Sequence, residues 1–195
     1  MSGQMWNLEN FSADGSWTLF LDRDGVINTL RVDDYVKNWS EFEFVEGVLE
    51  SMAVFNQFFG TIVVVTNQPG IGRQLMTEQD LHDIHQHMVD AIESAGGRID
   101  KIYFCPHLAK DNPRCRKPET GMAVQAQNDF PNIQFSRSIM VGDSEKDMEF
   151  ARRLNMPHVR VTGGPTNFEG KLTHPEITKL SDLASYLTNL TPNQH

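Results

Sequence analysis

The chain has 195 residues, of which 39% are hydrophobic and 22% are charged, a length and composition that fit one globular domain and exclude collagen, coiled coil and wholesale disorder. Its formal net charge of −9 argues against general attraction to nucleic acid or to anionic membranes. Because no apolar run is long enough to span a bilayer and residues 1–17 contain no signal-peptide block, we expect a cytoplasmic protein, and we expect it to be a monomer.

Buried strands alternate with helices along the chain. Apolar and β-branched runs predict strands at residues 17–21, 61–65, 99–104, 138–141 and 158–161. Apolar residues at helical spacing predict helices at residues 48–59, 77–95, 120–128 and 181–190, and a further helix through Met148, Ala151 and Leu154. Strands separated by helices predict right-handed βαβ units and one doubly wound parallel sheet, an α/β fold. We assign residues 1–16 to an N-terminal extension and residues 17–190 to the domain, with loose order expected at 163–175.

Polar side chains follow three of the predicted strands, at the point where each strand ends. They are Asp22 and Asp24, then Thr66 and Asn67, then Asp143 and Asp147. Because parallel strands end at the same edge of a sheet, we expect these side chains to converge. Carboxylates gathered in one place repel each other unless a cation is present, and oxygen ligands favour Mg²⁺.

A loop after the third predicted strand adds positive charge through Lys117, which is preceded by Arg116. A hydroxyl, an amide, a lysine and Mg²⁺ around an unpaired carboxylate are the groups needed to transfer a phosphoryl group to that carboxylate. The sequence therefore predicts phosphoryl-transfer chemistry at this edge of the sheet.

Several of these residue types also have ordinary structural uses. An Asp-x-Asp-Gly segment after a strand could be a turn, and Asp147 could support the site or be a solvated residue in the first turn of its helix. Arg116 and Arg73 could bind a substrate phosphate or only offset the negative net charge. Three histidines of the predicted 77–95 helix lie off its apolar stripe and are interpreted as a solvated face: His82, His85 and His87.

The segment from Leu21 to Val26 reads Leu-Asp-Arg-Asp-Gly-Val and resembles the first motif of the haloacid dehalogenase superfamily, an Asp-x-Asp pair beside a hydrophobic strand. Thr66 matches the second motif of that superfamily and Lys117 the third. The segment 142–147, Gly-Asp-Ser-Glu-Lys-Asp, matches the acidic fourth. The resemblance implies a Rossmann-like phosphatase domain.

The resemblance narrows to the group that contains the histidinol-phosphate and heptose-bisphosphate phosphatases, over about residues 17–162. It is carried by residues 22–28, residues 66–72, Cys105-Pro-His107, residues 115–118 and Gly121-Met122. One departure is Ser144, where heptose-bisphosphate phosphatases often have lysine.

Roles for individual residues follow from this resemblance. Asp22 would attack phosphorus, and Asp24 would protonate the leaving oxygen and later activate water. Thr66 and Lys117 would hold the phosphoryl oxygens. The Mg²⁺ ligands would be Asp22, the main-chain carbonyl of Asp24, and Asp143. Substrate contacts are expected from Asn67, Gln68, Arg73 and Arg116.

Two cysteines flank the same loop, and in a reducing compartment such a pair near a histidine is more often metal-binding or inert than bridged. Relatives with a structural zinc here show Cys-x-His followed by Cys-x-Cys, but this chain has Pro113 at the first of the latter two positions. Cys105, His107 and Cys115 thus leave a tetrahedral site one ligand short unless a group such as Asp111 or a water completes it. We prefer a loop without zinc, held by proline stiffness and packing.

Members of the superfamily choose substrates largely through cap insertions, and this chain has little room for one. With one helix at residues 48–59, roughly twenty residues remain between Asp24 and Thr61 for a flap. We therefore expect a capless, Mg²⁺-dependent phosphatase of small sugar phosphates, with D-glycero-D-manno-heptose 1,7-bisphosphate as the first substrate and histidinol phosphate as the alternative. A non-catalytic phosphoacceptor of the receiver type shares the aspartates, threonine and lysine. It carries its phosphorylated aspartate after the third strand, whereas here the Asp-x-Asp pair follows the first.

Overall fold

One parallel sheet organises the residues that the computed structural model describes, which are 11–163 and 175–190. Its strands are β1 Thr18–Leu21, β2 Thr61–Asn67, β3 Lys101–Cys105, β4 Ser138–Gly142, β5 His158–Val161 and β6 Glu176–Ile177. The strand order is β3-β2-β1-β4-β5-β6, and every neighbouring pair is parallel. The predicted doubly wound α/β fold is therefore confirmed. The order changes direction between β1 and β4, which is where open α/β sheets bind their ligands.

The helices that connect the strands are α1 Val48–Phe58, α2 Pro69–Gly72, α3 Glu78–Ser94, α4 Gly121–Asp129, α5 Glu145–Arg153 and α6 Leu180–Leu190. Helix α3 begins at a capping box in which Thr77 and Asp80 each accept a hydrogen bond from the backbone N–H of the other. The sequence did not predict α2 or β6, because elements of four and two residues are too short to show a periodic pattern. Among the described residues, the structure has no helix that combines the length and apolar character needed to cross a membrane.

The two faces of the sheet are covered by different helices. Leu19 and Leu21 pack into the cluster that includes side chains of α1, α3 and α6, whereas Phe20 packs into the cluster that includes side chains of α4 and α5. All four residues of β1 are buried, as expected for a central strand covered on both faces. The rigid position of β1 fixes whatever follows Leu21.

A flap at residues 28–44 follows the loop after β1, and its Tyr35 lies beside Gly70 of α2. Asn28 forms isolated bridges with Asp24 and with Phe44, and the segment contains one 3₁₀ turn, Trp39–Glu41, instead of a cap domain. The Trp39 ring stacks on His87 of α3 with ring centroids 5.1 Å apart. The flap is thus anchored to the domain by its own aromatic side chain.

Cys105 and Cys115 are joined by a disulfide bond, with their Cα atoms 5.4 Å apart. The expectation that these cysteines are unbridged is therefore wrong in this structure. β3 ends at Cys105, and the loop that follows turns back far enough for the two side chains to meet. Sulfurs bonded to each other offer no thiolate to a metal, so the zinc set of Cys105, His107 and Cys115 is not assembled in this form.

Reduction of the disulfide is expected to destabilise the domain. The cysteines are 10 residues apart in sequence, and opening a loop of this size increases the entropy of the unfolded chain by an amount equivalent to about 3 kcal/mol. Denaturant unfolding with and without reductant measures the difference, and a Cys105→Ala, Cys115→Ala double variant should show the lower stability regardless of reductant. The bridged form would be contradicted if protein denatured without reductant showed two reactive thiols and the native protein contained one equivalent of zinc.

Candidate active site

Asp22 lies one residue beyond the end of β1, between the ends of β2 and β4. Its backbone N–H donates to the carbonyl of Val141 at 2.9 Å, which continues the parallel pairing of β1 with β4. Oδ1 of Asp22 accepts a hydrogen bond from the backbone N–H of Arg23 at 2.7 Å and lies 2.9 Å from Nζ of Lys117. The carboxylate is therefore held at the carboxyl edge of the sheet, as predicted.

Lys117 reaches this edge from the loop after β3 and is almost fully buried. Its Nζ lies 2.9 Å from Asp22 and 2.5 Å from Asp147. Burial opposes the charged form, but Asp147 and Asp22 outweigh it and raise the pKa of Lys117. Asn67 fixes the backbone of Lys117, because its Oδ1 accepts from the Lys117 N–H at 3.0 Å and its Nδ2 donates to the Lys117 carbonyl at 3.2 Å. The amide predicted to touch substrate thus binds the lysine loop, and its contact with substrate stays a prediction.

Asp147 is fully buried, so the alternative of a solvated first-turn residue is wrong. One of its oxygens accepts hydrogen bonds from the backbone N–H and the hydroxyl of Ser144, at 3.1 and 2.6 Å, and the other pairs with Lys117. These contacts hold Asp147 at the N-terminus of α5. They also leave it close enough to Asp22 for the two carboxylates to repel each other.

Asp143 completes a group of three carboxylates that could hold a metal ion. One oxygen each from Asp22, Asp143 and Asp147 lies within 4.8 Å of the others. Burial and repulsion by Asp147 raise the pKa of Asp143 to about 7, and the same two effects raise the pKa of Asp22 well above its usual range. An added cation would relieve this repulsion, and three carboxylate oxygens suit Mg²⁺.

Gly25 allows the loop after β1 to approach Asp143. Its φ of +82° lies in the left-handed region, and a Cβ at this position would lie 2.2 Å from Oδ2 of Asp143. Gly142 has a similar function on β4, since a Cβ there would lie 2.2 Å from the Cβ of Asp147. Glycine at these two positions lets the acidic side chains crowd together.

Asp24 is held by hydrogen bonds from three side chains. Nη2 of Arg23 donates to both of its oxygens at 2.8 and 3.0 Å. Nδ2 of Asn28 donates to Oδ1 at 3.0 Å, and Nε2 of Gln68 donates to Oδ2 at 2.8 Å. Burial acts to raise the pKa of Asp24, but the Arg23 charge and these hydrogen bonds outweigh it and lower the pKa. Asp24 is therefore kept ionised in an environment unlike that of Asp22.

The hydroxyl of Thr66 lies at the end of β2 and accepts a hydrogen bond from Nε2 of Gln68 at 2.9 Å. Thr66 can then donate its own hydrogen to another acceptor. Gln68, predicted from the sequence to bind substrate, is a buried amide that lies between Thr66 and Asp24, and its contact with substrate stays a prediction. Gln68 thus links the second and first of the predicted motifs.

Arg23 and His85 are two buried residues that the sequence reasoning did not assign to the site. Nη1 of Arg23 lies 3.3 Å from Nε2 of His85, and His85 is only 5% exposed, so its interpretation as part of a solvated face is wrong. Its position in sequence contained the signal, because His85 follows Leu81 by four residues and precedes Met88 by three. Those spacings place it on the buried stripe of α3.

The outer part of the site contains two further cations. Arg73 lies over the ring of Tyr35, with its guanidinium carbon 5.9 Å from the ring centroid. Nη1 of Arg116 donates to the carbonyl of His107 at 3.3 Å. Burial lowers the pKa of Arg116, and the nearby charge of Arg73 lowers it further while Tyr35 opposes this effect. The two arginines therefore lie near each other, and within residues 11–163 and 175–190 neither forms an ion pair with a carboxylate.

Comparisons with known proteins point to one family. A family model described as HAD-hydrolase-like matches residues 114–185. The D-glycero-α-D-manno-heptose-1,7-bisphosphate 7-phosphatase of Mycobacterium tuberculosis is 41% identical over 142 residues, which cover 73% of this chain and 75% of the relative. The D-glycero-β-D-manno-heptose-1,7-bisphosphate 7-phosphatase of Vibrio cholerae is 38% identical over 181 residues, which cover 87% of this chain and 95% of the relative.

A solved structure agrees with these sequence relatives. The D,D-heptose 1,7-bisphosphate phosphatase from B. bronchiseptica, complexed with magnesium and phosphate, superposes with a TM-score of 0.82 at 29% identity. The match covers 90% of this chain and 99% of that one. The similarity in fold therefore extends over nearly the whole of both chains.

Gly25→Ala is expected to reduce catalytic activity far more than stability. The added methyl group would have to displace the Asp143 carboxylate, and misplacement of a reacting group by about 1 Å can reduce a rate about 100-fold. Gly47→Ala is the matched control, because Gly47 has a similar φ of +79° but its added Cβ would meet only Ser181, at 3.5 Å or more. The kcat of both variants should be compared with their thermal unfolding. Equal activities would show that the close approach at Gly25 is not needed.

Proposed function

The chain belongs to the haloacid dehalogenase-like phosphatases, in the family of the heptose-1,7-bisphosphate 7-phosphatases. We therefore propose that it hydrolyses the 7-phosphate of D-glycero-D-manno-heptose 1,7-bisphosphate. The observation that carries the proposal is the position of Asp22 at the switch point of the sheet, 2.9 Å from Lys117 and grouped with Asp143. A fixed carboxylate beside fixed positive charge and a metal-binding cluster suits covalent phosphoryl transfer.

Asp22 is the proposed nucleophile. Its contacts with the Arg23 N–H and with Lys117 both fall on Oδ1, so we assign the attack to Oδ2. A bond forms from Oδ2 to phosphorus as the bond from phosphorus to the sugar oxygen breaks. Lys117 and the hydroxyl of Thr66 offer positive charge and a donor to the phosphoryl oxygens, whose charge must be stabilised in the transition state.

Asp24 is the proposed acid and base. It gives a proton to the departing sugar oxygen, and its carboxylate then takes a proton from water, which attacks phosphorus and breaks the bond to Oδ2 of Asp22. The products are the dephosphorylated sugar and inorganic phosphate. The contacts from Arg23, Asn28 and Gln68 favour the ionised form needed for this second step. A phosphate dianion placed beside Asp24 would oppose them by repulsion and favour the protonated form needed for the first.

Mg²⁺ fits the carboxylate group, in which burial and repulsion raise the pKa values of Asp22 and Asp143. The residues proposed to hold it are Asp22, Asp143 and the main-chain carbonyl of Asp24. The bound ion would supply positive charge that lets an anionic phosphate approach an anionic nucleophile. Asp147 then has a supporting role, because it contacts Lys117 and Ser144 directly.

A bisphosphate is the proposed substrate because the outer part of the site offers a second cluster of positive charge. Arg73 and Arg116 lie near Tyr35 and could bind the phosphate that is not cleaved. Histidinol phosphate, the alternative, would need acidic partners for its cationic groups. Two flap carboxylates could serve, Asp33 and Asp34, and Asp34 is already paired with Lys37 at 2.8 Å and with Arg31 at 3.4 Å. The cytoplasmic location and the monomeric state expected from the sequence stay predictions.

A phosphate-release screen of the purified protein tests the proposal. The α and β anomers of the heptose bisphosphate, histidinol phosphate and several sugar monophosphates should be assayed with Mg²⁺ and with excess chelator. We expect the highest kcat/KM for one heptose bisphosphate anomer, with release lost in chelator and restored by Mg²⁺. A higher kcat/KM for histidinol phosphate would overturn the substrate, and full activity in chelator would overturn the metal.

Asp22→Asn is the control for this screen. The amide is nearly isosteric with the carboxylate but cannot form the acyl phosphate, so phosphate release from every substrate should fall to background while the fold is kept. Release by this variant at more than a few per cent of the wild-type rate would indicate a contaminating phosphatase or a different nucleophile.

Arg116→Ala is expected to raise KM for the heptose bisphosphate by roughly 10- to 150-fold, which corresponds to the ~1.5–3 kcal/mol of a lost charge-assisted hydrogen bond. An aryl phosphate whose aryl group carries no charge should show little change, because it has no second phosphate. Arg114→Ala is the matched control, since Arg114 is an exposed residue of the same loop. Equal increases in KM for both substrates would show that Arg116 does not recognise the second phosphate.

A further inference from the structure

We infer that His85 is a positioning residue for the acid–base carboxylate, because its Nε2 accepts a hydrogen bond from Arg23 and thereby fixes the guanidinium that holds both oxygens of Asp24. The inference deepens the proposed function, on which the acid–base role of Asp24 depends. It gives a positioning role to His85, a buried residue that the mechanism does not otherwise use.

The direction of the hydrogen bond follows from the chemistry of its partners. A guanidinium carries donors only, so in the 3.3 Å contact between Nη1 of Arg23 and Nε2 of His85 the imidazole must be the acceptor. Nε2 therefore carries no proton, and the proton of the neutral ring is on Nδ1. Burial and the charge of Arg23 lower the pKa of His85 to about 3, which agrees with a neutral ring.

The orientation of the Arg23 guanidinium depends on the hydrogen bonds of its two terminal nitrogens, Nη1 and Nη2. It is fully buried, and no described residue accepts a hydrogen bond from its Nε. Nη2 is occupied by the two oxygens of Asp24, and Nη1 by His85. Without the imidazole, Nη1 would lose its acceptor and the guanidinium would keep only its contact with Asp24. Asn28 and Gln68 would still bind Asp24, so the loss falls on the orientation of Arg23 and on the two hydrogen bonds it donates to the carboxylate.

His85 can act as a fixed point because α3 is firmly packed. The helix residues beside it, Leu81, Ile84 and Met88, are completely buried, and the His85 ring has an edge-on contact with Phe104 of β3, with centroids 6.3 Å apart. His85 of α3 is therefore connected to Asp24, in the loop after β1, through one buried side chain, that of Arg23. This path links the helix packing to the orientation of Asp24.

The test is steady-state hydrolysis of a phosphate monoester that the wild type turns over. His85→Leu removes the hydrogen-bond acceptor of Arg23, and we expect kcat to fall by about 10- to 100-fold. This loss is part of the roughly 10²- to 10⁴-fold that general acid–base catalysis provides. KM should change less than about threefold, because the contacts with substrate remain. His85→Gln can place an amide oxygen near the position of Nε2 and should recover most of kcat. His82→Leu is the matched control, since His82 is an exposed residue of α3 that also contacts Phe104, and it should retain the wild-type kcat.

A purely structural role for His85 would give a different result. In that case kcat would fall only in proportion to the folded fraction, and His85→Gln would be no more active than His85→Leu. Either of these two results overturns the inference. A kcat of His85→Leu within twofold of wild type overturns it as well. If His85→Leu does not fold, His85→Asn, whose shorter amide cannot reach Arg23, should show the same loss. Asp24→Asn separates the two proposals. Full activity in that variant would overturn the proposed acid–base role, whereas loss in Asp24→Asn with none in His85→Leu would overturn only the inference.

Discussion

Negative charge concentrated at one edge of the sheet is the constraint on which the rest of the site depends. Four aspartates meet there, and two buried cations divide them, since Lys117 pairs with Asp22 and Asp147 while Arg23 pairs with Asp24. Asp143 has neither cation as a partner, and its pKa rises to about 7. Buried charges are costly unless they are paired, so each cation fixes the carboxylates around it. Asp143 also belongs, with Asp22 and Asp147, to the group of carboxylates that could hold a metal ion.

The backbone makes this crowding possible. β1 and β4 are neighbours in the sheet although 120 residues separate their starting positions, Thr18 and Ser138, and the reversal of strand order between them leaves a crevice. Gly25 then lets the loop after β1 approach Asp143 more closely than a side chain would allow, and Gly142 does the same for the end of β4 and Asp147. The fold thus brings Asp22 beside Asp143, and the absence of two Cβ atoms brings the acidic groups into contact range.

Site residues could be predicted from the sequence where they follow the regular pattern of a parallel sheet, whose strands all end at the same edge. Asp22, Thr66 and Asp143 were predictable because strand ends of a parallel sheet coincide, and their convergence needed no knowledge of side-chain orientation. Asn67 and Gln68 show the limit of this reasoning, because the protein partners of an amide depend on which groups the fold brings within reach. Their contacts with substrate stay predictions. The cysteine bridge was missed for the same reason, because the path of the loop after β3 is irregular. His85 was missed through an incomplete reading of the helical period.

The contrasting surroundings of Asp22 and Asp24 give the two carboxylates different chemical uses. Pairs of acids whose environments shift their pKa values in opposite directions are typical of sites where each has its own role. Asp22 is destabilised as an anion by burial and by Asp147, which favours bond formation with an electrophile once a cation is bound. Asp24 is stabilised as an anion by Arg23, Asn28 and Gln68, so it can hold a proton only when another negative group stands beside it. A bound phosphate is such a group, so in the proposed mechanism the acid form of Asp24 arises with substrate. Asp24 becomes the base when it gives its proton to the departing sugar oxygen.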